Sequence, residues 1–159
     1  MRCFIHYWRT DTVAFHKSSA RASKGGFEHT ASGLLKARGV GPGNTLYGIS
    51  YTNGQLHVLG RMIVKDILPM KQAVAALGTN DLWDAPDHAI ARRGSFTKPL
   101  QYDSTVSPTN LKKIRFICAD GAERPPARNK QGDIDFQTFR NVREITEETA
   151  KLLDKTLGA

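Results

Sequence analysis

A chain of 159 residues with 40% hydrophobic and 24% charged side chains has the size and composition of one globular domain with a genuine core. No apolar run approaches the ~20 residues that cross a bilayer, and the opening MRCFIHYWR carries no cleavage pattern, so secreted, membrane-spanning and disordered readings are set aside. The 23 Lys and Arg against 15 Asp and Glu give a formal charge of +8, which favours a polyanionic partner through counterion release and steering.

The basic surplus lies in the first 130 residues, and residues 131–159 are mildly acidic. Cys3 and Cys118 stand far apart in apolar, strand-like runs. They read as buried free thiols in a reducing compartment, and the expected location is the cytoplasm.

Residues 2–8 form a β-rich run, with Cys3, Ile5 and Tyr7 on one face and Phe4, His6 and Trp8 on the other. From Arg9 to Gly26 the chain is polar and reads as a long functional loop. His29 to Arg38 predicts a helix capped by Thr30 or Ser32 and stopped by Gly39. After a turn at Gly41–Asn44, strands at Thr45–Tyr51 and Gln55–Ile67 join through Asn53-Gly54, a strong hairpin signal. Pro69 opens a helix that Gly78 closes. A loop from Asn80 to Asp87 carries Trp83, and short strands are expected at Phe96–Asp103 and Leu111–Cys118. Residues 120–132 form a second basic loop. Thr146 to Leu157 predicts a helix with Thr146 as cap and Leu152, Leu153 and Leu157 as its buried stripe. Without repeats or an internal linker, residues 1–159 read as one α+β domain on a small, strongly bent sheet or barrel.

The five histidines (His6, His16, His29, His57, His88) fit no metal-ligand spacing, and Asp133 and Asp135 beside a turn read as solvated. No metal, cofactor or catalytic residue is expected, since no phosphate loop or nucleophile motif occurs. What stands out is aromatic and polar material on strand ends and loops. Tyr7, Trp8 and Trp83 are candidate walls for a nucleobase, although alternation lets only one of Tyr7 and Trp8 face a pocket and burial in the core competes for Trp8. His29, Thr30 and Ser32 at the predicted helix entry offer polar contacts, and Gln137, with Asp135 and Thr138, offers both donors and acceptors. Candidate phosphate contacts are Arg9, Lys17, Arg21 and Lys24 on the first loop, Arg124, Arg128 and Lys130 on the second, and Arg140 with Arg143 at helical spacing. The competing reading pairs Arg140 and Arg143 with Glu144, Glu147 or Glu148 as staples of the last helix.

The order Tyr7-Trp8, His29-Thr30-Ala31-Ser32-Gly33-Leu34-Leu35, Gly41-Pro42-Gly43-Asn44-Thr45-Leu46-Tyr47, Leu59-Gly60-Arg61-Met62-Ile63-Val64 and Arg140-Asn141-Val142-Arg143 resembles the EVE domains of the PUA-like superfamily. Their helix entry usually reads Asn-x-x-Ala-Arg, where this chain has His29-Thr30-Ala31-Ser32. Their turn aspartate is Asn44 here, and a segment with Trp83 and His88 has no counterpart. The resemblance, which extends to YTH and SRA-type modules, implies a pseudo-barrel with flanking helices and a pocket at its mouth. It implies a nucleic-acid-binding reader of modified bases that flips the base into an aromatic pocket with a basic rim. DNA carrying modified cytosine of the 5-methylcytosine type is favoured over RNA, by analogy with sensor halves of modification-dependent restriction systems. A separate nuclease or effector subunit would fit that setting. The alternatives are an RNA-binding module, or a nucleic-acid-processing enzyme using Asp133, Asp135 or His29.

Overall fold

The computed structural model describes residues 1–18 and 25–158. Strand β1 (Cys3–Tyr7) is followed at once by helix α1 (Thr10–Ser18), where a loop was expected. None of its residues is buried, so it lacks the apolar periodicity that announces a helix. Asp11 in the first turn and His16 and Lys17 in the last complement its dipole.

Strand β2 (His29–Ser32) replaces the start of the predicted helix. Instead of capping a helix, Ser32 Oγ accepts from the Leu34 N–H at 3.0 Å and starts a tight turn. A single helical bond, Arg38 N–H to Leu34 O at 2.9 Å, then leads to Gly39 at φ +91°.

The hairpin is as the sequence suggests. Strands β3 (Thr45–Thr52) and β4 (Gln55–Leu68) meet at Asn53 and Gly54, both at positive φ, as the two-residue turn demands. Helix α2 (Met70–Leu77) starts after Pro69 and ends at Gly78 in the left-handed region. Strand β5 (Asp87–Ala91) follows, unpredicted. Residues 96–103 form no strand. They run beside β4 with isolated bonds from Thr97 to Arg61 and from Gln101 to Leu59, and Pro99 has no N–H to extend a ladder. Then come α3 (Pro108–Leu111), β6 (Phe116–Ile117), β7 (Glu123–Arg124), a 3-10 turn (Phe136–Phe139), β8 (Val142–Ile145) and α4 (Glu147–Leu157). Thr146 caps α4 by accepting from the Thr149 N–H.

The domain is α+β, with eight strands in the order β2-β5-β4-β3-β1-β8-β6-β7. β1 and β3 are parallel, and the remaining pairs are antiparallel. The order is open, with β2 and β7 as edges. The expected pseudo-barrel is therefore not formed, because closure would require those edges to pair.

A bulge decides which side chains reach which face. Gly48 pairs with Gly60, but Ile49 pairs with Val58, so Leu59 is the extra residue. Leu56 and Val58 point into one core with Ile5, Tyr47, Ile49 and the α4 residues Ala150, Leu153 and Leu157. Beyond the bulge Met62 and Val64 point into the other core, with Phe4, Trp8, Phe27, Leu35 and Leu46. One inserted residue thus exchanges the faces.

Across that same pair the chain uses its lack of side chains. A Cβ on Gly48 would lie 2.5 Å from Phe27 Cε2, and one on Gly60 would lie 2.5 Å from Phe27 Cβ. Phe27 is fully buried and fills the slot. Gly48→Ala should cost about 1–3 kcal/mol by overpacking, read as a lower midpoint in urea unfolding, and Phe27→Ala about 3–5 kcal/mol by leaving a cavity. If the glycine substitution leaves the midpoint unchanged, the slot does not constrain the fold.

Candidate functional site

Where β1 ends, backbone hydrogen bonds hold Tyr7 and the following Trp8. Tyr7 N–H donates to Asn141 O, and Trp8 N–H donates to Ile49 O at 2.7 Å. The alternation read from the sequence then sends Phe4, His6 and Trp8 to the face of the Phe27 core. Trp8 is only 5% exposed. Its ring lies on His16 with centroids 4.5 Å apart, and its Nε1–H donates to Thr30 Oγ1 at 2.9 Å. His6 Nδ1 lies 2.6 Å from that same hydroxyl. Burial pushes the His6 pKa down to about 4, so the ring is neutral at neutral pH. Among the described residues its Nε2 has no hydrogen-bond partner, and the His6 side chain is almost fully buried.

These groups floor a cleft of about 260 Å³. Its walls are apolar and exposed: Phe15 from α1 (51% exposed) and Trp83 from the loop before β5 (56% exposed). Thr12, Arg9, Ser32 and Asp81 supply polar groups at the rim. His29, also lining the cleft, is tied behind it to the buried His88. His88 Nε2–H donates to the Ala85 carbonyl at 2.8 Å, which leaves its Nδ1 to accept from His29 Nε2–H at 2.8 Å. The two ring planes lie 12° off parallel with centroids 5.1 Å apart, as rings joined edge to edge require.

A second, wider hollow of about 670 Å³ adjoins the first. It shares His6, Tyr7, Arg9 and Ser32 and extends to Arg140 and Asn141. Ser32 of β2 and Arg140 and Asn141, just before β8, therefore border the same hollow.

Six of the seven candidates for the base pocket, Tyr7, Trp8, His29, Thr30, Ser32 and Trp83, line the cleft. Tyr7 and Trp8 both border it, where alternation was expected to admit only one; Trp8 does so from within the core, and Trp83 and Phe15 are the most exposed rings. Gln137 is exposed within the 3-10 turn, away from both hollows. Asp135 caps that turn by accepting from the Gln137 N–H, and Thr138 Oγ1 accepts from the Ala127 N–H.

The cations divide sharply. Arg9 and Arg140 border the wide hollow. Lys17 Nζ sits 5.0 Å from the Tyr102 ring centre. Arg124 pairs with Asp120 at 3.3 Å, Arg128 donates to Gly132 O at 2.7 Å, and neither these two nor Lys130 lines either hollow. Arg21 and Lys24 lie outside the described residues. The helical spacing expected for Arg140 and Arg143 is corrected by β8, whose extended backbone parts them. Arg143 lies over the Phe116 ring at 3.8 Å and donates to Thr138 O at 3.0 Å. Neither arginine staples α4: Glu144 pairs with Arg2 and Glu147 with Lys151. Among the described residues no group of three or more His, Cys, Asp and Glu is placed to hold a metal ion, and no helix is long and apolar enough to span a membrane.

His6 gives the site a pH signature. Its folded value of about 4 lies below the ordinary 6.5, so the unfolded chain takes up the extra proton between these values. Stability is complete above pH 6.5 and falls as the pH drops through this window, by about 3 kcal/mol at its foot. Urea titrations at pH 7 and pH 4.5 should show this slope, and His6→Gln should flatten it; equal slopes in both proteins would remove His6 from the account.

Comparison with known protein families, with curated proteins and with solved structures returns no match, so the chemistry of the cleft itself carries the functional reading.

Proposed function

We propose that this cleft receives one flipped nucleobase and that the protein reads modified bases in nucleic acid, with DNA carrying a 5-methylcytosine-type base as the foremost substrate. The supporting observation is one juxtaposition. Two exposed rings, Phe15 and Trp83, wall a small cleft lined on its floor by the His6 imidazole, and Arg9 and Arg140 border the hollow beside it. Rings of this kind stack on a base at ~1–3 kcal/mol each, polar floor atoms meet its hydrogen-bonding edge, and guanidinium groups take the flanking phosphates. The cleft is near the lower end of ligand pockets, ~300–1,000 Å³, which suits a single ring system better than a chain of nucleotides.

This reading keeps the EVE-like order of segments noted in the sequence while placing it on an open sheet. It also places the protein in the cytoplasm, and it accommodates a separate nuclease or effector subunit. Discrimination by one methyl group is modest, ~1–3 kcal/mol, so the reader should bind plain strands too and prefer the modified form by tens of fold.

A binding panel of modified and plain DNA and RNA at one salt concentration tests this. The preferred ligand should be modified DNA, and Trp83→Ala should weaken it about tenfold or more without altering thermal stability. Equal affinity across the panel, or an unchanged affinity in the variant, would reject base reading. Preference for RNA would reassign the cleft to an RNA module, and metal-dependent loss of strands would reassign it to a processing enzyme.

A further inference from the structure

Along β8 from the wide hollow lies a third cavity, of about 310 Å³. Asn141 borders the wide hollow and the next residue, Val142, borders this one. Four charged side chains line it: Arg2, Arg38, Arg143 and Glu144. Arg2 grips Glu144 with the edge of its guanidinium, Nε to Oε1 at 3.0 Å and Nη2 to Oε2 at 2.8 Å, and the two charges cancel. Arg38 and Arg143 are left. Among the described residues neither has a carboxylate within ion-pair distance.

Arg143 is the informative one. It is half-buried, and Nη1 is committed to Thr138 O and Oγ1 at 3.0 and 3.2 Å. The other edge, Nε with Nη2, is the one that Arg2 uses on Glu144. Among the described residues that edge of Arg143 meets only the Cys118 sulfur, 3.9 Å from Nη2, and Nε has no partner. Desolvation and the like charge of Arg38 both oppose the Arg143 cation. A half-buried guanidinium with its forked edge open, facing a second uncompensated cation across a cavity, is complementary to a bidentate oxyanion.

We propose that Arg143 and Arg38 form an oxyanion site that takes a phosphate group. On the reading given above, that group belongs to the backbone of the bound strand, beside the nucleotide whose base enters the cleft. The stacking of Arg143 on Phe116 and its bonds to Thr138 fix the fork before the anion arrives, so the site is preorganised. Arg38, exposed on the turn after Leu34, closes it from the other side.

The test uses the whole chain and two probes. Titration with inorganic phosphate should shift the Arg143 Nε–H resonance saturably. Arg38→Glu should remove that saturation, whereas Lys71→Glu on α2, an equal change in net charge, should not. With the oligonucleotide, Arg38→Glu should weaken binding about tenfold and flatten the log–log salt slope by ~0.9 for the lost phosphate. Arg143→Lys, which retains the charge but not the fork, should weaken oligonucleotide binding several-fold while remaining folded. No saturable shift in the parent protein, or the same response in Arg38→Glu, overturns the site. Saturable phosphate binding with an unchanged oligonucleotide affinity and slope overturns its assignment to the strand. The base-reading proposal is judged separately, by preference between modified and plain strands, which neither phosphate nor the salt slope measures.

Discussion

The position of one benzyl ring organises this molecule. Phe27 can lie against the sheet only because Gly48 and Gly60 face each other across β3 and β4 with no side chains between them and the ring. Its N–H is tied to Thr97 O at 2.9 Å, and two residues later the chain enters β2. The slot thereby sets the height and direction at which β2 crosses the end of β1. Thr30 falls on His6 and Trp8 because Phe27 is seated. The neighbouring bulge has a matching role: by adding Leu59 it turns Met62 and Val64 toward Phe27. Close approach of backbone to ring is a reason for glycine that has nothing to do with flexibility.

The opposite face is closed differently. Helix α4 packs Ala150, Leu153 and Leu157 on the sheet, and the buried Tyr47 hydroxyl reaches Asp154 Oδ1 at 2.8 Å and the Ala150 carbonyl at 3.2 Å. Asp154 also meets Arg61 at 3.3 Å. Burial and the bond to Asp154 both hold the Tyr47 phenol above its ordinary range, so it remains a donor at any physiological pH. That side is a sealed core. Both hollows of the candidate site therefore open at the rim where β1 runs out, between α1, β2 and the turn before β8.

Much of this was legible in the residues, and the exceptions have causes. The β3–β4 hairpin, α2 and α4 carry caps and turns that act locally, through Asn53-Gly54, Gly78 and Thr146, and such signals survive in any context. The alternation along β1 placed Phe4, His6 and Trp8 together correctly. α1 was missed because a helix with no buried residue has no apolar stripe to display. β2 was misread because Thr30 and Ser32 are good caps in isolation, and only pairing with β5, itself hidden in an apparent loop, makes them strand residues. With α1 and β5 unseen, Phe15, His16 and His88 could not be placed. Gln137 enters the sequence reading through its donors and acceptors, but the 3-10 turn holds it exposed and away from both hollows.

Thr30 has one more consequence. Its hydroxyl is buried and has two partners, the Trp8 indole and the His6 imidazole. The indole N–H can only donate, so the hydroxyl accepts from Trp8, and of its two partners only His6 Nδ1 can take the hydroxyl's own proton. With the hydroxyl proton satisfied there, the neutral ring carries its own proton on Nε2, which has no partner among the described residues. The floor thus presents a hydrogen-bond donor whose polarity is dictated two bonds away by a tryptophan. A carbonyl oxygen or an unprotonated ring nitrogen is welcome there, and an amino group is turned away.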